Sequence, residues 1–372
     1  MNFSRTLLFL ILSMSMFLLG IVDGVFRLMN TSGINVNFLS QIYLLHPVIL
    51  VFGFFASIIV TERVAGMKLL NTSSHFKSLV NIPVPLYWIG SLLIILNSLF
   101  NYGLIYQLSI FLFFIASLSF ILFLYYLRKI SHMKLPIDYM ILSAFPLTIE
   151  AILLYYSLPV ANIPRILLIL SFPIIFILGE RVELTSFTTA LKYDKLYKYI
   201  FYFLIISIAL LTISAIFQLK YLDGNLNLLI IFISLLILTI SFLIFYYIES
   251  SLFRQLRKTN LILNLYTSKH TMQSYFWGIV GLFLMIIYVG SKYSFDLYDA
   301  SIHALAIGYI GYMFLGHGPV IFPTIANRKL DASKLRLYPS IILNIAVLIR
   351  VICDIIRNFI YNPILGYLIS FS

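Results

Sequence analysis

The sequence predicts an all-α fold, a polytopic integral membrane bundle of eleven or twelve transmembrane helices in a single domain over residues 1–372. Three observations predict it. The chain is 62% hydrophobic and 10% charged, with a mean hydropathy of +1.03, which is outside the range of a soluble domain. Apolar runs long enough to cross a bilayer recur along its whole length. The basic residues gather in every second loop, as they do when those loops stay in the cytoplasm.

The elements follow in order. The first run, 6–28, is too long for a signal-peptide core and no clear cleavage site follows it, so it reads as a retained first helix after Arg5. The second, 39–60, is followed by Arg63, Lys68 and Lys77. The third and fourth, 79–100 and 103–127, lead to Arg128, Lys129 and Lys134. The fifth and sixth, 137–157 and 163–180, lead to Arg181, Lys192, Lys195 and Lys198. The seventh and eighth, 197–219 and 226–248, lead to Arg254, Arg257, Lys258 and Lys269. The ninth and tenth, 273–290 and 299–323, lead to Arg328, Lys329, Lys334 and Arg336. The eleventh is 338–360. Residues 363–372 would form a short twelfth helix, although ten residues do not cross ~30 Å of hydrocarbon. The alternate loops hold only Arg27, Arg165, Lys220 and Lys292. The N-terminus is therefore expected in the cytoplasm, with the even helices running inward.

The same reading limits function. A net charge of +12 would suggest nucleic acid for a soluble protein; here it reports topology, and the expected surroundings are membrane lipid in a multi-pass cell-membrane protein. One cysteine, Cys353, supports neither a disulfide framework nor a thiolate metal cluster.

The tenth run, DASIHALAIGYIGYMFLGHGPVIFP, carries two histidines inside an apolar stretch, where ionisable groups are costly and tend to be functional. His303 and His317 are fourteen positions apart, about 21 Å along an α-helix and within about 40° of one face. Gly308, Gly311, Gly316 and Gly318 let a neighbouring helix or a flat ligand approach the backbone, and Pro319 is a kink signal. On the second helix His46 falls at the same outer depth as His303, while His317 lies at the inner level. His75, His132 and His270 read as solvated cytoplasmic loop residues.

Two neutral imidazoles at equal depth on different helices form an axial pair for haem iron, so His46 and His303 are the expected ligands of one b-type haem (heme b). The competing reading is a pair of interhelical hydrogen bonds. His317 would hold a second haem only with a non-histidine partner or as a five-coordinate site, because the second helix offers His46 alone. Arg350, Asp354 and Arg357 share a face of the eleventh helix at i, i+4, i+7. The two arginines are placed to meet haem propionates, or else to form an Arg–Asp clamp between helices. Glu150 is either a proton-relay group or a satisfied buried carboxyl. The repeated Glu62-Arg63 and Glu180-Arg181 ends of the second and sixth helices read as interfacial salt bridges, with a proton-entry carboxylate as the alternative.

Histidines on the second and tenth helices, an inward N-terminus and a period of four helices resemble haem–copper oxidase subunit I. That resemblance implies arcs of four helices, and His46 and His303 as low-spin haem ligands. The copper-ligating histidines that family carries on its sixth and seventh helices are absent, and Ser301 stands where its high-spin haem ligand would be. No copper and no oxidase activity are therefore expected. The segments HPVILVFGF (His46) and HALAIGYIGYMFLGHGP (His303), with ERVAG, GERVEL and RVICD, are more similar to the NnrS-like polytopic membrane haem proteins. Nothing in the chain selects for nitric oxide. The expectation is a cytochrome b-like hydrophobic subunit for respiratory electron transport, partnered by other respiratory-chain subunits and by quinone. A haem-free transporter and a membrane anchor or assembly subunit are the alternatives.

Overall fold

The computed structural model describes residues 3–31, 45–66, 82–100, 102–157, 162–189, 194–220, 224–257, 262–291, 295–325 and 335–357. Among these it is helical throughout, with no strand. The helices are α1 (Phe3–Thr31), α2 (46–66), α3 (Pro83–Phe100), α4 (Gly103–Ile130), α5 (Lys134–Leu153), α6 (Ile163–Thr189), α7 (Asp194–Leu219), α8 (Asn225–Arg257), α9 (Ile262–Gly290), α10 (295–325) and α11 (Tyr338–Arg357). Every predicted run has its helix. Ten of them are long and apolar enough to cross a membrane by themselves. In α10 the helical run is divided by a π-helical stretch. The suggested twelfth helix, 363–372, lies outside the described residues, as does His75.

The outward side chains agree with a lipid surrounding. Leu104 is 78% exposed and Ile342 68%, both on helices that bury another face. Lipid tails cover such side chains without a hydration cost, while the helices satisfy their own backbone groups. Serines in these helices bond back to carbonyls three or four residues earlier, as Ser117 does to Phe113 and Ser171 to Leu167. This satisfies these hydroxyls inside an apolar bundle.

The chain divides into two compact units, Met1–Lys192 and Tyr193–Ser372. In the first unit, successive helices from α3 to α6 pack in chain order, and α2 packs against α1, α3 and α6. Helix α6 is buried from Ile163 to Val182. Its C-terminal end is tied to α2: Arg63 Nη2 lies 2.7 Å from Glu183 Oε2 and 3.3 Å from Glu180 Oε1. The Arg63 guanidinium also lies over the Phe176 ring, 5.5 Å from its centroid. The Glu-Arg ends thus meet as interhelical pairs, with Glu183 as an added partner. At the other end of α6, Arg165 and Glu150 form an ion pair with both side chains fully buried. Glu150 is a satisfied carboxyl, held by an arginine that charge counting had placed in a loop.

In the second unit α7–α8, α8–α9, α9–α10 and α10–α11 pack as neighbours. Helix α9 begins at Ile262, well before the predicted run at 273, because its first turns are polar yet buried. Ser268, His270, Thr271 and Ser274 are all nearly inaccessible. Three of them bond to their own helix: Ser268 to Leu265, Ser274 to Thr271 and His270 to Tyr266. This corrects the loop assignment of His270, which is 1% exposed within a helix. His132, in contrast, is exposed between α4 and α5 as expected.

The helices that carry His46 and His303 both depart from α geometry shortly after the histidine. In α2, a π-helix over Ile49–Ala56 begins three residues after His46. In α10, a π-helix over Ala304–Gly311 directly follows His303. Such i→i+5 turns are rare and are frequent at functional sites. They also lower the rotation per residue, so the α-helical phase count that put His303 and His317 on one face does not carry across this stretch. Pro319 does not end α10, which continues to Ile325.

Candidate functional site

In the first unit His46 opens α2 just before Pro47, a residue suited to the first turn of a helix. Its ring lies against α1. The Nδ1 atom is 2.6 Å from the Gly20 carbonyl oxygen. A carbonyl only accepts, so Nδ1 carries the proton and the neutral ring presents its lone pair at Nε2. Glycine at position 24 makes room for this. A Cβ there would stand 2.7 Å from His46 Cε1, closer than real contacts allow. Gly24→Val is therefore expected to push the ring from its place on α1, and to cost ~1–3 kcal/mol as overpacking. The check is thermal unfolding in detergent together with occupancy of whatever His46 ligates. Gly103→Ala is the control, since nothing lies within 4 Å of a Cβ at 103.

In the second unit His303 ends the first α-helical part of α10. Its Nδ1 lies 2.8 Å from the Asp299 carbonyl oxygen, and 3.6 Å from Asp299 Oδ1. The same argument puts the lone pair at Nε2. Hydrogen bonds of this kind from the far ring nitrogen are what orient metal-bound imidazoles.

Behind His303 is a charge network joining α10 to α11. Arg350 pairs with Asp299, and its Nε donates to Asp354 Oδ2 at 3.1 Å. Arg357 Nε donates to Asp296 Oδ1 at 2.7 Å. The network is largely buried, with Asp354 inaccessible and Arg350 4% exposed. Asp354 Oδ1 is buried with no hydrogen-bond partner among the described residues. Asp299, His303 and Asp354 each offer one ligand atom, all within 4.8 Å of one another, so they could hold a metal ion. The two arginines offered to propionates are thus engaged by three aspartates, in the clamp arrangement. Sequence reasoning paired Arg350 with Asp354 through their i, i+4 spacing. It missed Asp296 and Asp299, whose signal was their i, i+3 spacing at the start of α10.

His317 is buried at 6% exposure on the inner part of α10. One residue before it, Gly316 packs against α9, where its Cβ would stand 3.0 Å from His270 Cβ. A second buried histidine, His270, therefore lies on the helix that α10 packs against beside position 317, where the sequence placed a loop residue.

A family model described as a domain of unknown function (DUF8744) matches residues 5–368. The chain belongs to the DUF8744 family. The DUF8744 match runs through both units and through all four buried or half-buried histidines described above. No curated protein and no solved structure matches the chain.

Proposed function

We propose that the protein is a cell-membrane b-type haem protein of respiratory electron transfer, with His46 and His303 as its haem-ligating residues, each through Nε2. The observation that carries this reading is local geometry. Each ring has its Nδ1 proton on a backbone carbonyl, at 2.6 Å and 2.8 Å, and each precedes a π-helical stretch. A neutral imidazole oriented in this way is the donor that haem iron takes. The bound haem would supply one-electron chemistry. The chain's own part is to fix the two rings and to place the Asp299 carboxylate beside His303, where it favours positive charge on the ligated side. The resemblance to NnrS-like membrane haem proteins points the same way. Other respiratory-chain subunits and quinone are the proposed electron partners.

A second reading is favoured by the Asp299–His303–Asp354 group: a haem-free transporter that binds a cation or protons there. A dithionite-reduced minus oxidised spectrum of the purified full chain separates the two. A sharp b-type band that is lost in both His46→Ala and His303→Ala is the expected result. Loss in only one variant would assign haem to that histidine alone. A colourless, folded protein would overturn the haem reading in favour of transport.

A further inference from the structure

We propose that His270 and His317 are ligands of a separate transition-metal centre at the inner end of α10, bound through imidazole. The inference goes beyond the His46 and His303 reading and does not depend on it.

The first observation is an orphaned atom. The Nδ1 of His270 lies 2.7 Å from the Tyr266 carbonyl oxygen, so the ring's lone pair is on Nε2. That Nε2 is buried and has no hydrogen-bond partner among the described residues. An unsatisfied buried acceptor costs about 1–3 kcal/mol and calls for a partner. The second observation is what surrounds it. The Tyr266 ring stands 4.0 Å from the His270 ring, centroid to centroid, and the Tyr312 ring 6.1 Å. The Tyr312 hydroxyl is already donating to the Ser340 carbonyl oxygen at 2.7 Å. Hydrogen-bond donors that could answer Nε2 are thus scarce, and a buried water would need two to four polar partners. The third observation is a second imidazole. Gly316 permits the approach of α10 to His270, and a Cβ at 316 would meet His270 Cβ at 3.0 Å. His317 is one backbone step, about 3.8 Å, further on, and is itself buried.

A buried lone pair with no donor among the described residues, one residue along α10 from a second buried histidine, suits an electrophile that binds nitrogen. Haem iron, Cu and Zn all have this preference. The shared chemistry is imidazole ligation, and the source is either a haem or a bare ion.

The test measures haem by its pyridine haemochrome and total Fe, Cu and Zn by mass spectrometry in the purified full chain. His270→Phe keeps the ring's bulk and removes the ligand. It is expected to lose one metal equivalent per chain relative to wild type, as haem iron if haem falls with it and as a bare ion if not. His46→Ala and His303→Ala are expected to keep that equivalent. Identical metal content in wild type and His270→Phe would overturn the proposal. If His270→Phe does not fold, His270→Gly purified with and without imidazole decides. Metal regained with imidazole supports ligation, and no regain overturns it. A colourless protein that still loses one bare-metal equivalent in His270→Phe leaves this proposal standing while the haem reading falls. A haem band lost only in His46→Ala and His303→Ala, with no metal lost in His270→Phe, does the reverse.

Discussion

Arg165→Ala is expected to destabilise the first unit by about 3–5 kcal/mol, the range for breaking a buried ion pair from one side. Both partners are inaccessible, and the pairing is two-sided. Arg165 Nε lies 3.0 Å from Glu150 Oε1, while Nη1 donates at 2.7 Å to both the carbonyl and the hydroxyl oxygen of Ser157. Alanine would leave the Glu150 carboxylate without its counter-charge in an apolar bundle and would free the turn that links α5 to α6. Glu150→Ala is expected to cost a similar amount by stranding the guanidinium. The double replacement Glu150→Leu with Arg165→Met removes both charges and should recover most of the loss, since buried ion pairs are often no better than apolar residues of similar volume. Denaturant titration in detergent, followed by circular dichroism, measures all three. A single variant within about 1 kcal/mol of wild type, the ordinary size of a point mutation, would mean that the pair is not a structural staple.

Arg350→Ala is expected to cost about 3–5 kcal/mol as well, and to act on the site in addition. Arg350 is shared between Asp299 on α10 and Asp354 on its own helix. Its loss leaves two buried carboxylates facing each other with no cation between them. Asp299 also positions His303 through its carbonyl, so ligand occupancy at His303 should fall together with stability. Arg350→Lys should rescue only part, because an ammonium cannot present two donors in the fixed fork that spans both aspartates. Adding Asp354→Asn to Arg350→Ala removes one stranded charge. The two changes should therefore be non-additive by about 0.5–3 kcal/mol. Unfolding and metal or haem content of the same preparations provide the two readouts. Additive effects would mean that the contact between the two side chains carries no energy.

The helices were legible because membrane crossing imposes a length and a composition that any run of apolar residues reveals. The boundaries moved where polar residues are buried by bonding to their own helix. At α9, Ser268, His270 and Ser274 lower the hydropathy of turns that are nonetheless in the bundle. The Glu-Arg ends of α2 and α6 were legible as pairs because opposite charges at matching helix ends have few other partners. The partner of Glu150 was not, since Arg165 counted as one basic residue in a loop and nothing in its spacing points back across a turn to α5.

By itself, the sequence determined that this chain is an all-α membrane bundle and that His46, Glu150, His303, His317, Arg350 and Asp354 fall within its apolar runs, because the cost of burying charge in lipid makes such residues few and conspicuous. Tertiary structure alone decided which of these groups meet. It put His270 beside the α10 segment that carries His317, gave both arginines of α11 to aspartates of α10, and replaced α geometry with π geometry after His46 and His303. Each of these depends on helix packing over distances along the chain that no local pattern encodes, and in the last case on backbone hydrogen bonds that side-chain periodicity does not report.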